Sequence, residues 1–290
     1  MAALLALAPT AHAELYYVIV GGLGGNSEYE EAFATHARKL GDAAERTLGG
    51  DARVSVLVGS EATRDALRAR LTALAGRTRQ SDRLAVFLVG HGSYDGAQYK
   101  FNLPGPDIDG AELGELLGAI PARSQLVVNA TSASGAVLES WAKAGRAVIT
   151  ATRSGAERNA TRFAEYFAAA LTADDADINK NGMITAQEAF DYTARRVADS
   201  YDADGTLATE HPQLKGDNAG AFEIARLARP AAAETPELAQ LNAERAAIEE
   251  RIAALRLRRE ELGENYLAQL EPLLVELARV QERIDAAGAE

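Results

Sequence analysis

Short, nearly unbroken apolar runs recur along most of this chain, and each is followed by a segment with helical spacing. The runs are Leu15–Val20, Val54–Val58, Leu84–Val89, Gln125–Ala130 and Ala147–Ala151. Between and after them, Glu28–Leu48, Glu61–Leu74, Gly110–Ile120, Ala136–Ala144 and Asn159–Leu171 place apolar residues at helical intervals. A strand that does not alternate polar with apolar residues is covered on both faces, and the helices that connect parallel strands are what cover it. The pattern therefore predicts the α/β class: a three-layer α/β/α sandwich with a mainly parallel sheet. Functional sites in such sheets lie beyond the carboxyl ends of the strands.

Composition narrows the chemistry. The chain has 290 residues, enough for one substantial core and a smaller appendage. Its 42 acidic and 30 basic residues give a formal charge of -12, which disfavours nucleic acid and anionic membrane surfaces as partners. It contains no cysteine, so thiol catalysis, disulfides and thiolate metal sites are all excluded. No later segment approaches the ~18 apolar residues of a membrane span, so no integral membrane segment is expected.

The unusual residues cluster where the strands end. Gly21–Asn26 follow the first run, Gly90-His91-Gly92-Ser93 the third, Asn129–Gly135 the fourth and Thr150–Gly155 the fifth. Each cluster alone is ordinary turn chemistry, but together they point at one site. A histidine at a strand end between glycines suits a general base. The hydroxyl residues Thr131 and Ser132 precede a helix whose first amides could face an oxyanion. The glycines of Gly22-Leu23-Gly24-Gly25 also suggest a phosphate cradle, but the dinucleotide fingerprint is incomplete and no nucleotide cofactor is expected.

These motifs resemble the caspase-like clan of peptidases and, within it, the legumain family, whose members pair a Gly-His-Gly strand end with an Ala-Cys at the end of the next strand. The resemblance spans most of residues 15–200. Val18–Asn26 looks like the legumain first strand and its glycine-rich loop. Val148–Glu157 is similar to the fifth-strand segment, with its Thr-Ala stretch followed by a glutamate. It implies a caspase-like fold, with His91 as base and the nucleophile position at Thr131 or Ser132. Counting along the strand gives Thr131; counting back from Ser134-Gly135 gives Ser132. Gly92, Asn26, Thr150 and Thr152 are the corresponding oxyanion and substrate-pocket candidates. The family's arginine after the first loop is missing from Asn26-Ser27-Glu28-Tyr29, so asparaginyl specificity is not implied. Serine and threonine attack only with a well-placed base and oxyanion hole. The expected function is thus a peptidase homologue that is either inactive or uses a hydroxyl. A non-catalytic, calcium-stabilised scaffold that binds a peptide or protein is the alternative. His211, in Ala208–Pro212, is an outside candidate for the site.

Asp177–Glu188 matches the EF-hand calcium loop of twelve residues, with glycine at position six and an apolar residue at eight. Asp177, Asn179 and Asn181 offer side-chain oxygens, Met183 its carbonyl, Thr185 an oxygen directly or through water, and Glu188 a bidentate carboxylate. Two asparagines in place of aspartates lower the ligand charge and with it the expected affinity. Asp202-Ala203-Asp204-Gly205 begins a similar pattern but lacks the final glutamate, and is read as a turn.

The ends differ from the middle. Residues 1–13 carry a short apolar run and Ala11-His12-Ala13, which has the small-x-small form of a signal-peptidase site, so export to the periplasm or beyond is expected. The caspase- and legumain-like domain is expected over residues 14–228 and a linker over 229–236. Residues 237–287 are expected to form a helical hairpin or coiled coil. Leu241, Ile248, Ile252, Leu255, Leu262 and Tyr266 keep a heptad beat, and Leu270, Leu273, Leu277, Val280 and Ile284 follow another register after Gly263-Glu264-Asn265. Arg256, Arg258, Arg259, Glu260 and Glu261 read as a solvated face, and the helices as a means of assembling copies of the chain.

Overall fold

The structure, a computed structural model, describes residues 13–227, 236–257, 262–263 and 265–287. It divides into two compact units, Met1–Ala228 and Arg229–Glu290. Residues 1–12 of the expected signal segment, residues 228–235, residues 258–261 and residue 264 lie outside the described residues, as does the side chain of Arg256.

The first unit is a mixed α/β structure around a mainly parallel six-stranded sheet. Its strands are β1 (Leu15–Gly21), β2 (Val54–Leu57), β3 (Arg83–Val89), β7 (Ser124–Asn129), β8 (Arg146–Thr150) and β10 (Gln213–Lys215), in the spatial order β10-β8-β7-β3-β1-β2. All neighbours are parallel except β10, which runs antiparallel to β8 with Gln213 opposite Thr150. The pleat sends alternate residues to opposite faces, and the apolar runs supply a core to each. Tyr17, Ile19, Phe87, Val128 and Ile149 pack with α1 (Ser27–Leu48), α5 (Phe163–Ala170) and α6 (Ala186–Asp204). Val18, Val20, Val86, Leu88 and Val127 pack with α2 (Arg64–Arg77), α3 (Gly110–Ala119) and α4 (Leu138–Trp141). The layers are therefore helix, sheet, helix.

Helix starts follow local chemistry where a cap is present. Asn26 Oδ1 accepts from Tyr29 N–H at the start of α1, with Glu28 and Glu30 in the first turn, and Thr63 and Asp109 cap α2 and α3 in the same way. Two expected helices are shorter than their periodicity suggests. Ala136–Ala144 contains a 3-10 turn over Ser134–Val137 and only four residues of α-helix, Leu138–Trp141, because the Lys143–Arg146 bridge turns the chain straight into β8. The segment from Asn159 becomes helical only at Phe163, where a distant side chain supplies the cap: the buried Glu210 carboxylate accepts the N–H groups of Arg162 (2.7 Å) and Phe163 (3.2 Å).

Two small sheets were not evident from the sequence. β4 (Gly92–Tyr94), β5 (Tyr99–Phe101) and β6 (Ile108–Asp109) form an antiparallel ribbon after β3, and β9 (Met183–Thr185) pairs with β11 (Glu223–Arg226). Strands of this length carry too few residues for a periodic signal.

The second unit contains α7 (Pro236–Leu257) and α8 (Asn265–Ala287), with Pro272 inside α8. Ile248, Ile252, Leu255, Leu273 and Val280 are buried in a shared seam. Arg251 pairs with Glu276 (3.0 Å) and Glu244 with Arg283 (3.2 Å), so residue numbers rise along one helix as they fall along the other, and the two are antiparallel. No helix among the described residues is long and apolar enough to cross a membrane.

Candidate functional site

The strand order reverses direction between β1 and β3, and in a parallel sheet that reversal opens a crevice beyond the carboxyl ends of those strands. The β1 loop supplies Gly22–Asn26 and the β3 loop supplies His91. Gly22 N–H donates to the Val89 carbonyl (2.8 Å) and Leu23 N–H to the Asn102 carbonyl (2.9 Å), so the two loops are stitched together through backbone.

His91, half-buried, follows β3 at this end of the sheet. Its ring meets Tyr29 and Phe33 edge to face, with centroids 4.8 and 4.9 Å away. Burial lowers its pKa below the usual 6.5, opposed in part by the Gly24 carbonyl, so the imidazole is held neutral at neutral pH. Asn26, expected to line the pocket, caps α1.

Thr131 is fully buried, and its hydroxyl is already occupied. It lies 2.7 Å from the Tyr99 hydroxyl and donates toward Asn129 Oδ1 (2.8 Å) and the Ser132 carbonyl (3.0 Å). Tyr99 comes from β5, and burial raises its phenol to about 12, so it stays protonated. Ser132 is 2% exposed, and its Oγ has no hydrogen-bond partner among the described residues. Gly92 is what lets these segments meet: a Cβ there would lie 2.4 Å from the Ser132 carbonyl and 2.6 Å from Thr131 Oγ1. His91 and the residue 131–132 turn are therefore brought to adjoining stretches of backbone. Among the described residues, however, no hydrogen bond joins the imidazole to either hydroxyl.

The turn is held from the other side by the loop after β8. Ala133 has a left-handed backbone (φ 55°), unusual for a residue with a Cβ, and its N–H donates to the Glu157 carbonyl (2.7 Å). Thr150 and Thr152 are fully buried. Thr150 Oγ1 donates to the Thr152 carbonyl, and Thr152 Oγ1 accepts the Gly135 N–H (2.9 Å) and bonds Ser134 Oγ (3.1 Å). Both threonines thus brace the loops and present no free hydroxyl to the crevice. At the rim, His211 Nδ1 lies 2.7 Å from Glu157 Oε1, and His211 N–H also donates to that carboxylate. This imidazole–carboxylate pair is formed by residues far apart in sequence. Its signals were the glutamate after the Thr-Ala stretch and an isolated histidine, and nothing local linked them.

At the other end of the sheet, Asp177–Glu188 folds as a tight loop. Asp177 is fully buried and accepts the N–H groups of Asn181 (3.0 Å) and Gly182 (2.8 Å). Asn179 Oδ1 accepts from Asn181 N–H and Asn181 Oδ1 from Met183 N–H, while Gly182 takes φ 80°. Glu188 and Thr185 form a reciprocal capping box at the start of α6. Two carboxylates, two amides and a carbonyl are a hard-oxygen set that suits calcium, and the loop supplies the sharp turn at position six. No group of three or more His, Cys, Asp or Glu placed to share a metal occurs among the described residues.

The sequence matches no protein-family model and no curated protein. Among solved structures, the chain is similar to protein GSU0716 from Geobacter sulfurreducens (14% identity, TM-score 0.46), over 70% of this chain and 92% of that one. It is also similar to the Drosophila initiator caspase Dronc (12% identity, TM-score 0.44; 74% and 82% covered). A third likeness is to Chaetomium thermophilum Raptor (13% identity, TM-score 0.40), which covers 94% of this chain but 26% of that one.

Proposed function

We propose that this chain is a caspase-like, legumain-type peptidase homologue that holds a peptide or protein segment across the carboxyl ends of its sheet without hydrolysing it. The observation that carries this reading is the state of Thr131: its hydroxyl is buried and engaged by Tyr99 and Asn129, and among the described residues no hydrogen bond joins it to His91. A hydroxyl becomes a nucleophile only when a general base takes its proton and solvent or substrate can reach it. Ser132 lacks the same two things, since its Oγ is buried and unbonded. What remains at the crevice mouth is suited to binding. Leu23 and Tyr29 are 40% and 36% exposed on the loop and helix beside His91, offering apolar surface to a ligand side chain. The Ala11-His12-Ala13 motif supports action outside the cytoplasm, and N-terminal sequencing of chain recovered from a bacterial periplasm should begin after Ala13.

The test is hydrolysis of a diverse fluorogenic peptide library by the full chain and by its His91→Ala variant. Both should cleave at the rate of buffer alone. Turnover by the wild type that His91→Ala removes would overturn the reading and restore a hydroxyl peptidase.

A further inference from the structure

The loop Asp177–Glu188 takes no part in the crevice and belongs to the opposite end of the sheet. Its last residues form β9, which pairs with β11. The Ile224 carbonyl of β11 accepts from the Tyr17 hydroxyl, and its Glu223 carbonyl from Arg83, the first residue of β3. Two observations suit this loop to a cation. The first is the ligand spacing, with oxygen-bearing residues at positions one, three, five, seven, nine and twelve around Gly182. The second is the condition of Glu188. Its residue is 7% exposed, and no ion pair neutralises it among the described residues. Its Oε2 accepts from Thr185 N–H (2.9 Å) and Oγ1 (2.8 Å), whereas Oε1 has only a 3.5 Å contact with Asn179 N–H, beyond the ordinary hydrogen-bond range. A buried carboxylate held only by neutral donors, with no ion pair among the described residues, is unfavourable unless something positive joins it.

We propose that this loop binds a calcium ion through Asp177, Asn179, Asn181, the Met183 carbonyl, Thr185 and Glu188, and that filling it fastens β11. The link to β11 is direct. Ala225 stands opposite Ile184 and Arg226 opposite Met183, and Leu227 N–H donates to the carbonyl of Gly182 (2.9 Å), the glycine at the loop's turn. An ion gripped at both ends of the loop fixes the Gly182–Thr185 backbone, and with it the strand from which the chain leaves for its C-terminal helices. Two carboxylates neutralise the ion, and the remaining ligands are uncharged, which places affinity in the weaker range of such loops. This inference does not depend on the reading of the crevice.

The experiment uses the full chain, stripped with chelator, titrated with calcium chloride by calorimetry and followed by amide hydrogen exchange. Saturable binding is expected with a midpoint of about 0.1–1 mM, with exchange of the Leu227 amide slowed about tenfold or more. Glu188→Gln keeps an acceptor for the Thr185 cap, so it should fold yet bind at least about tenfold more weakly. Asp177→Asn should do likewise. No binding up to about 10 mM calcium, or undiminished binding by both variants, would overturn the site. Normal binding with unchanged Leu227 exchange would overturn the fastening and leave the site standing.

Discussion

Thr131 and Ser132 are adjacent buried hydroxyl residues, yet removing the two hydroxyls should have opposite consequences. In Thr131→Val the branched shape survives and the hydroxyl is lost. Tyr99 Oη and Asn129 Oδ1 then keep their 3.2 Å bond to each other in a buried setting. Losing a satisfied buried hydrogen-bonding group, with its partners left short, costs about 1–2 kcal/mol. For a domain of this size, 1 kcal/mol moves the thermal midpoint by about 2–4 °C, so the fall should be about 2–8 °C. Ser132→Ala removes an oxygen that has no protein partner, so no bond is lost and a desolvation penalty is relieved. Its midpoint should be unchanged or slightly raised. Thermal unfolding followed by circular dichroism, on both variants under one buffer condition, decides the matter. A Thr131→Val midpoint equal to wild type, or a Ser132→Ala loss as large as that of Thr131→Val, would refute the assignment of Thr131 to the supporting network.

Other consequences are open to the same kind of measurement. Burial lowers the His36 and His91 imidazoles below 6.5, so on acidification the unfolded chain takes up protons before the folded one; stability is full above that value and is lost as pH falls through it. Glu210, raised by burial, acts with the opposite sign, so the clean comparison is the drop in urea midpoint between about pH 7.5 and about pH 5.5 for wild type against His36→Gln, which should be smaller in the variant. Arg146 is 3% exposed, and burial lowers its guanidinium to about 10; its Nε donates to Gln125 Oε1 (2.7 Å) and its Nη2 has no partner. Arg146→Met should therefore cost at most about 1 kcal/mol, whereas Gln125→Leu, which leaves the buried guanidinium only the Trp141 carbonyl and removes the bonds from Gln125 Nε2 to the Ile120 and Ala122 carbonyls, should cost about 2–3 kcal/mol by urea denaturation. The residues of both sheet-face cores all come from the first unit, so a chain ending at Arg229 should unfold cooperatively near the wild-type midpoint, and sedimentation should find it monomeric if the helices assemble copies.

What could be seen in advance depended on how local each signal was. The central strands are legible because β1, β3, β7 and β8 are buried on both faces, so each carries an unbroken apolar run of three or more residues. The calcium-loop pattern was visible because all its candidate ligands lie within one turn of chain. The state of the nucleophile position was not. Whether Thr131 faces the crevice or the core is decided by Tyr99, which arrives on a three-residue strand too short to recognise and offers its hydroxyl from beneath. The start of α5 differs from the periodic pattern for a similar reason, since its cap, Glu210, follows far behind in sequence. The His211–Glu157 pair likewise needed the antiparallel strand β10 to carry His211 back beside the loop after β8. Arg146, buried at the start of a strand with no carboxylate partner, follows no rule of composition or periodicity.

On the proposed reading, neither hydroxyl at the nucleophile position is activated. The direct test is to incubate the full chain with a fluorophosphonate probe, which phosphonylates activated serine and threonine hydroxyls with loss of fluoride, and to weigh the intact protein. No adduct should form at Thr131 or Ser132. A single adduct mapped to either residue, and abolished by His91→Ala, would contradict it.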